Sequence, residues 1–354
     1  MVKELDTQDQ CSDIAYGWAQ KSFATRDGKE GHPIRSSVAQ FSSWLDVRGM
    51  PVAMTSDGIG TKIEVAERVG RYDTLGFDLC AMVVDDLAAN GVEPIALQNT
   101  LDVDVLDPAI VDELMRGLYA AAQEAKVAVV GGEIAELGSR VGGYGPKMHF
   151  NWCSTALGML RAGWAPIDGT AMKEGDAVIA LESTSFRSNG FSALRRTLAK
   201  TFGDAYHTEP FAGRTWGDWL LEPCRLYAPI VTALRAEGLH PSGLAHITGG
   251  GMPSKFGRTL KAGGLGVHLD DLFDPTPAML EVQRLGDIAD ADAYRHWNMG
   301  NGFMLVVPQA RAEETAAFCT ERGYRARIAG RTIRDRVVHI ERGKTRLDYP
   351  MPAP

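Results

Sequence analysis

Residues 51–56, PVAMTS, form a short apolar run that passes without a spacer into Asp57-Gly58-Ile59-Gly60-Thr61-Lys62, and the helix-compatible stretch KIEVAERVG follows at once. The implied order is strand, tight loop, helix. It calls for an α/β unit whose loop is built largely by its own backbone, because glycine lets the main chain approach a ligand closely. In such a loop the Asp57 carboxylate can hold Mg²⁺, Gly58, Gly60 and Thr61 can face phosphate oxygens, and Lys62 can meet negative charge. A plain turn with a solvated lysine is the bland alternative. The segment lacks Gly-x-x-x-x-Gly-Lys-Ser/Thr, so a P-loop fold is not indicated.

The same alternation continues along the chain. A helix over residues 79–90 precedes the strand PIALQNTLDVDV, an amphipathic helix over 108–126 and a buried strand VAVVGGE; a further strand around 151–159 closes a first α+β domain. The polar text GTAMKEGD marks a boundary, giving domains 1–168 and 169–354. Beyond it the pattern predicts a strand AVIALES, helices over 189–200 and 223–237, a glycine-rich turn over 246–252, a strand FMLVVP and a helix over 309–322. Near the start, an amphipathic helix over 14–23 and a charged loop over 25–33 are expected.

Composition narrows the function class. The 354 residues carry a formal charge of −8, against a nucleic-acid backbone as main partner, and 39 glycines gathered in short ordered clusters, as backbone-built loops would require. No apolar run approaches a membrane span and MVKELDTQDQ is too polar for a secretory signal, so a cytoplasmic chain is expected. Cys11, Cys80, Cys153, Cys224 and Cys319 lie far apart with no Cys-x-x-Cys pair; they read as reduced, mostly buried thiols.

Four further clusters could carry chemistry. Asp78, Asp85 and Asp86 fall roughly on one face of a helix, where acids repel unless a cation intervenes. Gly131-Gly132-Glu133 ends a buried strand, where α/β folds tend to bind ligands. Ser188-Asn189-Gly190-Phe191-Ser192 opens a helix whose free N–H groups can accept an anion, although capping explains Ser188 or Asn189 equally. His246-Ile247-Thr248-Gly249-Gly250-Gly251 also precedes a helix, with a histidine suited to acid–base work or to a structural place.

In order, DGIGTK, GFDLCAMVVDDLAANGVEP, GGEIAE, SNGFS, AHITGGG and WNMGNGF resemble the motifs of the aminoimidazole ribonucleotide (AIR) synthetase family, the phosphoribosylformylglycinamidine cyclo-ligases. The resemblance implies a two-domain α/β fold in which four-stranded N-terminal sheets of two copies close into a dimeric barrel, with a C-terminal α/β domain alongside. It implies a homodimer that uses ATP and Mg²⁺ on a small phosphorylated ribonucleotide, without nucleic-acid or membrane partners. Asp57, Asp86 and Glu133 are then expected at the metal, and Lys62, Asp78, Gly58, Gly60, Thr61, Gly131 and Gly132 at the nucleotide. Arg187, Ser188, Asn189, Gly190, Thr248, Gly249 and Gly250 are expected at the substrate, supported by Asn298 and Gly300; Asp57, Lys62 and His246 are the catalytic candidates.

Three departures stand out. Phe186-Arg187 replaces the histidine usual before Ser-Asn-Gly, which points to a phosphate clamp rather than a base. PIRSSVAQFSSWLDV replaces a glycine-rich N-terminal stretch, and GGEIAE continues into LGSRVGGYG rather than Met-Pro-Gly. The rival readings are another ATP-dependent enzyme of the superfamily, such as a thiamine-phosphate kinase, and a nucleotide-binding dimer without turnover.

Overall fold

The computed structural model describes residues 2–34 and 41–351. The stretch PIRSSVAQFSSWLDV therefore lies partly outside the described residues. The first half opens with helix α1 (Val2–Ser22) and strands β1 (His32–Pro33), β2 (Ser43–Val47) and β3 (Met50–Gly58). Helices α2 (Ile63–Val69) and α3 (Leu75–Ala89) follow, then β4 (Glu93–Val103), α4 (Pro108–Ala125), β5 (Ala128–Glu136) and β6 (Phe150–Met159). The strands form one sheet in the order β1-β2-β3-β6-β4-β5, with only β4 and β5 parallel among the described pairs.

One face of this sheet is packed and the other is open. Along β6, Phe150, Trp152, Ser154, Ala156 and Gly158 are buried while Asn151 and Cys153 are exposed, the two-residue alternation of a half-covered sheet. Helix α3 covers the packed face, and every residue of it except Phe77 and Asp86 is buried. Helix α4 packs on α3 through glycines: a Cβ on Gly76 would stand 2.1 Å from the Leu118 nitrogen, and one on Gly117 1.9 Å from the Asp73 oxygen. No side chain fits that crossing. Helix α4 starts where Asp107 accepts the amides of Ala109 and Ile110 and Pro108 presets the first turn, and Ile110, Leu114, Leu118 and Ala121 face inward.

The second half contributes β7 (Ala177–Glu182), α5 (Phe191–Phe202), the two-residue strands β8 (Pro210–Phe211) and β9 (Arg214–Thr215), α6 (Trp216–Leu220), α7 (Ala228–Ala236) and β10 (Gly243–His246). Next come α8 (Gly251–Gly263), β11 (Gly266–Leu269), α9 (Pro277–Leu285), α10 (Asp290–His296), β12 (Asn301–Val307), α11 (Ala312–Glu321), β13 (Ala326–Ile333), β14 (Val337–Arg342) and β15 (Thr345–Pro350). Its sheet runs β10-β12-β7-β13-β11-β14-β15, and β7 and β12 are buried along almost their whole length.

Several sequence expectations shift. The first helix begins at Val2 rather than residue 14, and the loop expected over 25–33 contains a turn at Phe23–Arg26 and the strand β1. The helix expected from Pro223 begins only at Ala228, and the one expected from Gln309 opens as a single 3-10 turn before α11. Cys80, Cys224 and Cys319 are buried free thiols, while Cys11 and Cys153 are exposed.

Candidate active site

Strand β3 delivers Asp57 at its end, and α3 delivers Asp86 across from it. Burial, opposed by the Gly58 amide and reinforced by the Asp86 charge, raises the proton affinity of Asp57. Burial likewise pushes Asp86 up to about 6, against the pull of Lys255, Arg258 and Arg187. Two neighbouring carboxylates with raised proton affinity form an anionic site in need of a cation. The pair fits a divalent metal by donor chemistry, although no three His, Cys, Asp or Glu side chains converge among the described residues.

Glu133 is the member of the expected metal trio that does not join them. Register places Gly58 beside Cys153, Cys153 beside Thr100, and Thr100 beside Glu133. Three strand spacings of about 4.8 Å put Glu133 roughly 14 Å from Gly58 within one chain. Gly131 and Gly132 travel with it, on an exposed edge strand.

Behind Asp86 lies a sealed chain of polar groups. His246, fully buried, has Nδ1 2.8 Å from Asp86 Oδ1 and Nε2 2.6 Å from Arg187 Nη2. A guanidinium only donates, so Nε2 accepts and the imidazole proton sits on Nδ1, facing Asp86. Burial and the Arg187 charge hold the His246 pKa well below its usual value, so the ring is neutral. Arg187, also fully buried and in the left-handed region at φ +58°, donates to Asp85 Oδ2 at 2.9 Å and to the Arg225 carbonyl at 2.9 Å. Asp85 in turn accepts the amides of Tyr227 and Ala228 at 2.7 and 2.8 Å, at the start of α7.

This arrangement corrects three expectations. Arg187 is not a phosphate clamp, because no part of it is exposed and its charge is spent on Asp85. His246 is not placed for proton exchange with a ligand, because both nitrogens are committed inside the core. Lys62 does not face nucleotide phosphates: it is fully buried, with Nζ 2.7 Å from Asp78 Oδ2 and 2.9 Å from the Glu222 carbonyl. Asp78 likewise belongs to the core, where it also accepts the Cys224 amide at 3.2 Å. Asn298 is a brace, donating to the Ser185 carbonyl and accepting from Gly300.

The remaining expected residues meet at one junction. Helix α5 starts after Gly190 and α8 after Gly250, both left-handed and neither with a side-chain cap; the Gly251 amide donates to the Thr248 carbonyl at 2.9 Å, and the first-turn N–H groups that follow it have no side-chain acceptor. A Cβ on Gly249 would lie 3.1 Å from Asn189 Nδ2, so the SNGFS and HITGGG segments abut. Thr61 Oγ1 stands 3.2 Å from Ser192 Oγ, joining the first-half loop to them. Ser188 Oγ and Asn189 Oδ1 are buried there without a protein partner, and Thr248 is buried beside them.

Lys255, on the second turn of α8, was missed. Its half-buried ammonium is felt by both Asp86 and Asp57, and burial lowers its own pKa. The available signal was its place one helical turn beyond three glycines, where α8 must aim its N-terminus at the same junction.

Comparisons with known proteins bear on the two halves of the chain. The AIR synthase related protein N-terminal domain model matches residues 42–159, and the C-terminal domain model matches 173–342. A phosphoribosylformylglycinamidine cyclo-ligase of Thermococcus gammatolerans is 35% identical over 325 residues, 92% of each chain. The Pyrococcus furiosus protein of the same name is 36% identical over 297 residues, 84% of this chain and 83% of its own. Among solved structures, one of a HypE–HypF complex superposes with a TM-score of 0.66 at 16% identity, over 88% of this chain and 93% of that one, a likeness of fold.

Proposed function

The chain belongs to the AIR synthase related protein family, and from that premise we propose that it is a phosphoribosylformylglycinamidine cyclo-ligase, closing formylglycinamidine ribonucleotide to aminoimidazole ribonucleotide at the expense of ATP. The observation that carries this reading is the meeting of the Asp57 and Asp86 acids with two uncapped helix N-termini at one domain junction. Acids and free amides together suit a metal–polyphosphate ligand, which needs both signs of partner.

In the reaction, the formamide oxygen of the substrate takes the γ-phosphoryl group and ADP departs. The amidine nitrogen then attacks the activated carbon, and the oxygen leaves with inorganic phosphate. Asp57 and Asp86 are the residues to hold Mg²⁺, which supplies charge for the polyphosphate. Lys255 supplies the protein cation that Lys62, locked to Asp78, does not. Gly58, Gly60 and Thr61 line the nucleotide side; Ser188, Asn189, Gly190, Thr248, Gly249 and Gly250 offer the substrate side amides and hydroxyls. Neutral His246 fixes Asp86, and Arg187 fixes His246.

The working form in this reading is a cytoplasmic homodimer. The open face of the first sheet supports it, since Val52 and Met54 pair with Met159 and Leu157 there and stay only half-buried, an apolar surface a twin would cover. Among the described residues no helix is long and apolar enough to cross a membrane.

The test is ADP release from Mg-ATP with and without formylglycinamidine ribonucleotide, with aminoimidazole ribonucleotide followed by its diazo colour. Substrate-dependent ADP matched by colour supports the reading. ADP without colour, or no substrate dependence, removes it.

A further inference from the structure

Next to the glycine loop, past Gly60 and Thr61, the surface opens into a groove of about 410 Å³ whose arginines the roles above leave unused. Thr61 and Asn151 present polar groups along it, and Arg140 and Arg195 reach it from the two halves of the chain. The acids in its wall are spent. Glu64 pairs with Arg68 at 2.9 Å and with Arg195, and Glu67 accepts the Tyr144 amide at 2.8 Å while lying beneath Gly143. The cations are not fully spent: Arg195 Nε is buried without an acceptor, and among the described residues the exposed Arg140 guanidinium has no hydrogen-bond or ion-pair partner.

The loop that carries Arg140 is anchored on three sides. His149 bonds Asp104 Oδ2 at 2.6 Å with one ring nitrogen and the Gly145 carbonyl at 3.0 Å with the other. The Arg68 guanidinium stacks over the Tyr144 ring at 3.9 Å. Arg140 is thus held out from a braced turn, Gly138–Arg140, rather than from a free end.

We propose that this groove seats the phosphate monoester of the ribonucleotide substrate, gripped by Arg140 and Arg195 from opposite walls, with Arg140 setting specificity for a phosphorylated ligand. The inference rests on the proposed cyclo-ligase reading and deepens it. Two arginines suit a dianionic phosphate, since each guanidinium offers a planar fork of donors. The groove carries no free carboxylate for a metal, so the ATP polyphosphate belongs with Asp57 and Asp86 instead. Position agrees: Gly60 and Thr61 border both places, so a substrate anchored by its phosphate extends toward the acid pair.

Arg140→Met and Arg140→Lys test it. The methionine variant should raise the KM for formylglycinamidine ribonucleotide at least tenfold, leaving kcat and the KM for ATP near wild type, and lysine should restore part of the loss. Thermal stability should not move, because Arg140 is exposed. A KM that rises for ATP instead, or for neither ligand, overturns the proposal while leaving the cyclo-ligase reading intact. If no cyclo-ligase turnover exists, calorimetric titration with ribose 5-phosphate decides the groove separately. Binding by wild type that the methionine variant loses sustains the site, and equal binding or none by both overturns it.

Discussion

The Asp85 carboxylate accepts the backbone N–H of Tyr227 at 2.7 Å, so a side chain from the first half of the protein caps a helix of the second. The other oxygen of the same carboxylate holds Arg187. A buried carboxylate with three donors is costly to remove, because it strands both a guanidinium and two helix-terminal amides away from water.

Asp85→Ala should therefore destabilise the fold by about 3–5 kcal/mol, the range for breaking one side of a buried ion pair. Urea denaturation followed by tryptophan fluorescence measures it. A loss below about 1 kcal/mol, the level of a surface pair, would show the cap to be dispensable.

Lys62→Met should act on stability and not on nucleotide affinity. It leaves Asp78 buried without its cation, whereas the double change Lys62→Met with Asp78→Leu removes both charges and should recover much of the lost stability. The KM for ATP of the folded double variant should stay within about twofold of wild type. A tenfold rise would return Lys62 to the phosphates.

Asp57→Asn should separate stability from activity. Burial and the Asp86 charge make the ionised Asp57 unfavourable in the metal-free protein, so neutralising it should raise the melting temperature in EDTA. The same change should lower Mg²⁺-dependent turnover by roughly a hundredfold or more, as loss of a charged group at a phosphoryl-transfer site does. Retained turnover would take Asp57 out of the metal set.

The His149 clasp predicts a pH window. Its partner Asp104 and the nearby Glu67 raise the His149 pKa above the usual 6.5, against burial, while the His149 donors lower that of Asp104. A raised histidine pKa contributes stability that is full below about 6.5 and fades as pH climbs through the folded value. A lowered aspartate pKa contributes stability that is full above about 4 and fades as pH falls through the folded value. The stability gap between wild type and His149→Gln should thus be widest between about pH 4 and 6.5 and narrow above it. A gap that widens toward pH 8 would contradict a charged imidazole.

Much of the fold was legible. The alternation along β6, the amphipathic stripe of α4 and the strand-loop-helix at Asp57 are local patterns, and local patterns survive in a sequence. The late start of α7 was not, because the amides of Cys224, Tyr227 and Ala228 are taken by Asp78 and Asp85 from a distant helix. The strand β13, whose partners β7 and β11 lie far along the chain, also escaped, as did the hairpin β14–β15 and the helices α9 and α10. In the site, residue type singled out Asp57 and Asp86, which the fold sets close to one another. Burial decided Lys62, Arg187 and His246, and burial depends on neighbours no motif displays. Glu133 failed to join its partners because sheet order, which puts β5 at the far edge, is not written in strand order.

The polar bonds between α3 and the second half also bear on how the chain is made. A ribosome releases α3 well before Arg187, Cys224 and Tyr227 exist outside the tunnel, so Asp85 at first has only water for company. Until those partners arrive, α3 cannot be sealed between the sheet and anything else without stranding a bare carboxylate in apolar surroundings. The early half must therefore wait, loosely collapsed, for the later one, and a chain cut at residue 168 should be a client of chaperones rather than a domain.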